Sequence, residues 1–119
     1  PMMVLHELAH AYHHLIGIDH EAIVAAYDSA KRSGKYGNVG YVLAPAGEGR
    51  PAYAMGNATE YFSELSEAYF GRNDYEPFDR AGLREFDPGG FLMIEAVWSM
   101  DRESLAALIE RDQAADTGD

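Results

Sequence analysis

His6, Glu7 and His10 stand together in the run HELAH, an H-E-x-x-H pattern inside the unbroken stretch MVLHELAHAYHHLI. Residues four apart on a helix sit one turn above each other with Cβ atoms about 5–6 Å apart, so two imidazoles at that spacing can grip one ion. Glu7 lies about a quarter turn round from His6, where its carboxylate can meet a water on the ion without binding the ion itself. That is the placement of a general base, and the chemistry is that of a zinc-activated water, with one Zn2+ per chain. Such a short pattern also arises by chance, so its helical setting, with apolar residues on the remaining faces, carries the reading. His13 and His14 offer rival pairs with His10, but Ala11 stands where the base would have to be. His6 with His10 is the expected register. His13 and His14 then read as residues behind the site, on the surface, or at the helix end, where a cation suits the dipole.

A catalytic zinc takes three protein ligands and keeps a fourth position open, so one ligand is still to be found. The chain has no cysteine, which leaves His, Asp, Glu or Tyr. A metzincin pattern needs glycine at position 13 and histidine at 16, and the chain has His13 and Ile16, which rules that class out. Asp19, Glu21 and the cluster Glu60, Glu64 and Glu67 remain. The cluster's spacing puts its three carboxylates on one stripe of a helix. One of them can bind the metal while another, a turn away, receives the free N–H of a ligand histidine. Two plainer readings compete: Asn57-x-x-Glu60 resembles a capping box, in which Glu60 only reaches back to the Asn57 N–H, and acidic stripes are most often solvated faces. A metal site short of one ligand tips the balance toward ligation.

The elements that must position these groups follow from helical periodicity and its punctuation. Apolar residues at Val4, Leu5, Leu8, Ala11, Tyr12, Leu15 and Ile16 predict a helix over Met3 to Ile16, stopped by Gly17. Asp19 is placed to cap a second helix through EAIVAAYDSAKR, with Gly34 beyond it. Residues 36–55 change character, and the runs YVLA and PAYAM read as short strands of an irregular hairpin joined by APAGEGR. Asn57 predicts a cap for a helix through ATEYFSELSEAYF, Asp79 for a short helix to Phe86, and Asp87 with Pro88 for a helix through FLMIEAVWSM. Asp101 predicts a last helix through SLAALIERD. The fold class is α+β, predominantly helical.

The whole chain bounds the function. Its 119 residues are 47% hydrophobic and carry nine basic against twenty acidic side chains, a formal charge of −11. That suits one small domain and opposes nucleic-acid binding, since the sequence has no basic patch to meet phosphate. Apolar runs of a few residues fall far short of the roughly twenty needed to span a bilayer, so no membrane partner is expected. A helical pattern that starts almost at Pro1 reads as a processed product or part of something longer, with a domain over 1–112 and a disordered tail over 113–119. The lack of thiols is silent on compartment.

HELAH followed by NATEYFSELSEAYF resembles the gluzincin group of zinc metallopeptidases, and within it the anthrax lethal factor catalytic domain and its relatives, the Pro-Pro endopeptidases among them. The resemblance implies a zincin-like domain and assigns the third ligand to the glutamate that opens an E-[FY]-F-x-E segment, here Glu60 in EYFSE. The second glutamate of that segment, Glu64, is then a residue just behind the ligands. The tyrosine seven residues before the ligand, here Tyr53, would face the reacting water or oxyanion. AYFGRNDYEPFDRAGLREFDP is also similar to uncharacterised bacterial and fungal proteins with the same zinc motif, so the likeness extends over most of the chain. Ser63 and Ser66 stand where alanines are common. With five residues before His6, the sheet that zincins use to bind substrate by strand addition has no room here. It must come from elsewhere, from self-association or a separate amino-terminal segment, or the domain is a reduced form. The resemblance leans toward an extracellular location.

The expected activity is hydrolysis of a peptide or protein substrate, with zinc on His6, His10 and Glu60, Glu7 as general base and Tyr53, or alternatively Tyr41, as the hydroxyl donor to the oxyanion. Two other classes stand beside it. One is a non-enzymatic zinc-stabilised binding domain, or pseudo-enzyme, in which the metal helps a short chain fold. The other is an acidic helical module whose histidines are incidental.

Overall fold

The computed structural model describes residues 3–17, 20–41, 49–99 and 110. Helix α1 (Met3–Ile16) contains no Gly or Pro and ends where Gly17, at φ 109°, turns the chain and donates its N–H to the His13 carbonyl at 2.9 Å. Helix α2 (Glu21–Ser33) ends on Gly34 in the left-handed region, whose N–H returns to Lys31 O. Its start has no side-chain cap from His20, and the expected cap, Asp19, lies outside the described residues. The next three helices begin on the acceptors read from sequence. The Asn57 side chain accepts the Glu60 N–H at α3 (Ala58–Phe70), Asp79 accepts from Gly82 at α4 (Arg80–Phe86), and Asp87 accepts from Gly90 at α5 (Pro88–Trp98). Each bond satisfies one of the amides that a helix start leaves without a partner.

Helix α3 is the axis of the fold and packs against α1, α2, α4 and α5. Residues Tyr61 to Ala68 are buried without interruption, although half of them are Ser or Glu. Buried polar groups demand partners. Ser66 Oγ donates to Phe62 O at 2.7 Å and accepts the Trp98 indole N–H at 2.9 Å, while Ser63 Oγ donates to the His6 carbonyl at 3.1 Å. The Ser63 bond ties α3 to the helix that carries the histidines. Tyr12, from α1, stacks on Trp98 with ring centroids 4.1 Å apart and donates to Val97 O. On the other side, Tyr36 and Tyr61 both donate to Asp87 Oδ2, at 2.8 and 2.6 Å, which joins the turn after α2, α3 and the start of α5. Burial and the neighbouring Asp87 push both phenols far above their usual range, so they remain donors. Gly90 is required here, because a Cβ would lie 2.5–2.7 Å from Asp87 Oδ2, Tyr61 Oη and Leu65 Cδ2.

The described architecture is mostly helical, and one expectation needs correction. PAYAM is not a strand: Tyr53–Met55 forms a 3-10 turn. Long-range bonds draw this segment onto the helices, with Ala52 N–H donating to Tyr36 O and the Tyr27 hydroxyl to Met55 O. Extended pairing among the described residues is limited to isolated antiparallel bridges, Val39 with Arg50 and Tyr41 with Tyr75. The expected hairpin tip falls within 42–48, outside the described residues, as do the helix expected after Asp101 and the tail over 113–119. Helix α1 has the expected bounds, and packing decides its inward face. Its apolar positions Val4, Leu8 and Ala11 face outward, Val4 at 76% exposure and Leu8 at 58%, while Ala9, Tyr12 and His13 face the core.

Candidate metal centre

Helix α1 presents His6 and His10 on one side, one turn apart, and the first turn of α3 brings Glu60 against them. The two Nε2 atoms are 3.1 Å apart, His10 Nε2 lies 3.3 Å from Glu60 Oε1, and His6 Nε2 lies 3.5 Å from Glu60 Oε2. Ligands held about 2.0–2.1 Å from a tetrahedral zinc stand about 3.3–3.4 Å from each other, and the three side chains approach one another over comparable distances, each imidazole nearest a different oxygen of Glu60, so they could close on one ion. Glu60 Oε2 is buried and accepts no hydrogen bond among the described residues. The residues therefore fit a metal by spacing, by ligand type and by a carboxylate oxygen that otherwise has little to compensate its burial. The capping-box alternative is half realised. Asn57 caps the Glu60 N–H at 2.8 Å, yet the Glu60 carboxylate lies against the imidazoles.

Beneath His6 lie two more carboxylates of α3. His6 Nδ1 is 3.6 Å from Glu67 Oε2 and 3.8 Å from Glu64 Oε2, longer than a direct hydrogen bond but within reach of charge. An acceptor on that side favours a proton on Nδ1, which leaves the Nε2 lone pair for an ion. Burial, a hydrogen bond with Glu67 and the charges around it push the Glu64 carboxyl up to about 9, so at neutral pH it keeps its proton. Of the two, Glu67 is the nearer to His6 and is fully buried. Together with His6 this pair is also close enough to surround a cation, but its protonated member and its lack of exposure make it the poorer ligand set. Among the described residues these are the groups of three that could hold a metal. Glu21 and the His13 and His14 pairs are in neither, and Asp19 lies outside the described residues. His13 is buried against the Phe62 ring, not on the surface, and His14 is exposed.

Glu7 is exposed beside this centre and, with His6, borders a cavity of about 270 Å³. Tyr53 and Tyr41, the two tyrosines singled out from sequence, both line it. So do Asn73, Asp74 and Tyr75, from a loop that the sequence marks only as a connection. The antiparallel bridge from Tyr41 to Tyr75 brings that loop to the site, with the two rings 4.6 Å apart. Local pattern gives no sign of a contact between segments so far apart in the chain. No protein-family model, curated protein or solved structure matches this chain.

Proposed function

We propose that the protein is a zinc metallopeptidase of the gluzincin type, with a zincin-like domain. The observation that carries this is the His6–His10–Glu60 triangle, able to close on one ion, with the Glu7 carboxylate at the border of an adjoining cavity. Zinc bound there supplies Lewis acidity, polarising the scissile carbonyl and lowering the pKa of a water to about 7. Glu7 accepts the proton of the attacking water and passes it to the leaving amine as the C–N bond breaks. Tyr53, or its neighbour Tyr41, donates its hydroxyl proton in a hydrogen bond to the carbonyl oxygen as that oxygen gains charge. Glu67 and Glu64 hold the His6 ring and its proton in place.

The test measures zinc per chain and cleavage of a peptide library together. Wild type should hold one zinc and cut peptides. Glu7→Gln should hold zinc and not cut, and Glu60→Ala should lose the metal under mild dialysis. Cleavage retained by Glu7→Gln would refute the mechanism. One observation favours a second reading, a zinc-stabilised binding domain without activity: the described residues contain no strand longer than a bridge to receive a peptide by pairing. Zinc at stoichiometry with no cleavage of any peptide would establish that reading instead.

A further inference from the structure

We propose that Asn57 is a positioning residue of the metal centre, whose side chain holds the backbone of Glu60 so that the Glu60 carboxylate is free for the ion. The inference rests on the metal-binding half of the reading above and is independent of peptide cleavage. Asn57 Oδ1 accepts two hydrogen bonds, from the Glu60 N–H at 2.8 Å and from the Thr59 hydroxyl at 2.6 Å. The Asn57 backbone carbonyl accepts a third, from the Tyr61 N–H at 3.0 Å. Three donors at the start of α3 thus converge on one residue, and one of them is the amide of the proposed ligand itself.

The usual arrangement at such a helix start is reciprocal, with a glutamate at the third position returning its carboxylate to the backbone N–H of the capping residue. Here the Glu60 oxygens stand instead 3.3 Å from His10 Nε2 and 3.5 Å from His6 Nε2. A glutamate that binds an ion cannot also close the box, so the cap falls to Asn57, whose side-chain oxygen has two lone pairs and two donors to fill them. Burial confines the effect of that cap to the ligand. From Tyr61 to Ala68 the helix is held by packing on all sides, which is the main source of helical stability in a folded chain. Asn57 is exposed, and Ala58, Thr59 and Glu60 are only half-buried. Loss of the cap therefore frays one turn without opening the core, and that turn carries Glu60. Ligand distances at a metal hold to within about 0.2 Å, so such fraying costs affinity even where the fold is intact.

The test measures zinc affinity by chelator competition and metal-free stability by urea unfolding, on the wild-type chain and on Asn57→Ala, Asn57→Gly, Asn57→Asp and Asn57→Ser. Asn57→Ala should weaken zinc binding about tenfold or more, the scale on which groups that support a metal ligand act, and should still unfold cooperatively. Asn57→Asp and Asn57→Ser restore an oxygen acceptor with and without a charge, and both should recover most of the loss. A cap that serves the helix alone would lower the urea midpoint and leave the zinc affinity of the folded protein unchanged. Zinc affinity of Asn57→Ala within about twofold of wild type would therefore overturn the proposal. Should Asn57→Ala fail to fold, Asn57→Gly decides the same comparison, because glycine is tolerated at a helix start but brings no side-chain oxygen. A wild-type chain that binds no zinc would overturn this inference and the metal centre together. Equal zinc binding by wild type and the variants would overturn this inference alone, and zinc binding without cleavage would touch only the peptidase reading.

Discussion

Replacing Glu67 by Gln keeps the shape of the side chain and removes an acidic group from beneath His6. Glu67 Oε2 stands 3.6 Å from His6 Nδ1, the ring nitrogen on the far side from the one that would face the ion, so its effect on a metal passes through the imidazole. Carboxylates that support a metal-bound histidine are worth 10- to 100-fold in affinity, or about 1.4–2.7 kcal/mol, and Glu67→Gln should weaken zinc binding by that amount. The metal-free protein should respond in the opposite sense, because the substitution separates two acids crowded together in the core. Zinc affinity is measured by competition with a chromophoric chelator at pH 7, and metal-free stability by urea unfolding. A zinc affinity within twofold of wild type would refute the argument that Glu67 acts on the site through His6.

The same pair sets a pH dependence. Glu64 keeps its proton in the fold up to about pH 9 but loses it near the ordinary carboxylate value of 4.5 when unfolded, so the unfolded chain binds fewer protons between those values. Its contribution to metal-free stability is therefore fully present below about pH 4.5, falls as pH rises and is gone above about 9, and urea midpoints at pH 5 and pH 8 should show the loss, less steeply in Glu67→Gln. Gly90→Ala should destabilise by about 1–3 kcal/mol through overpacking against Tyr61, Leu65 and Asp87, measured by the same unfolding. If Tyr53 is the oxyanion donor, Tyr53→Phe should lower kcat by about 10²–10³ with little change in zinc content, and Tyr41→Phe should not. The reverse pattern would move the role to Tyr41.

The helices were legible because each carries its own punctuation. Gly17 and Gly34 close the first two, and Asn57, Asp79 and Asp87 cap the others through bonds that span three residues. Local chemistry suffices for such features. PAYAM misled because its alternation is short and its real partners, Tyr36 and Tyr27, are distant helix and turn residues. On α1 the apolar residues cover so much of the surface that periodicity alone could not say which face turns inward, and Val4 and Leu8 proved to be outside. The histidine spacing was visible, as was Glu60 as a candidate. The burial of Glu64 and Glu67 was not, since an acidic stripe reads the same whether it faces water or the core, and only packing on all sides of α3 decides it. Asn73, Asp74 and Tyr75 were hidden for a related reason, because a loop acquires its place from the segment it pairs with.

The seating of Glu60 at the head of the most enclosed helix has a kinetic meaning. Amides of α3 behind its first turn should be among the slowest to exchange with deuterated solvent, since its Tyr61 to Ala68 core opens only when the surrounding helices part. A metal ligand at the start of such a helix cannot swing far from its partners without fraying that start. The His6 end is tied to the same helix by the Ser63 hydroxyl. Release of a bound ion would then be timed by the breathing of the protein as much as by the strength of three bonds, and the release rate should follow α3 amide exchange as temperature is raised.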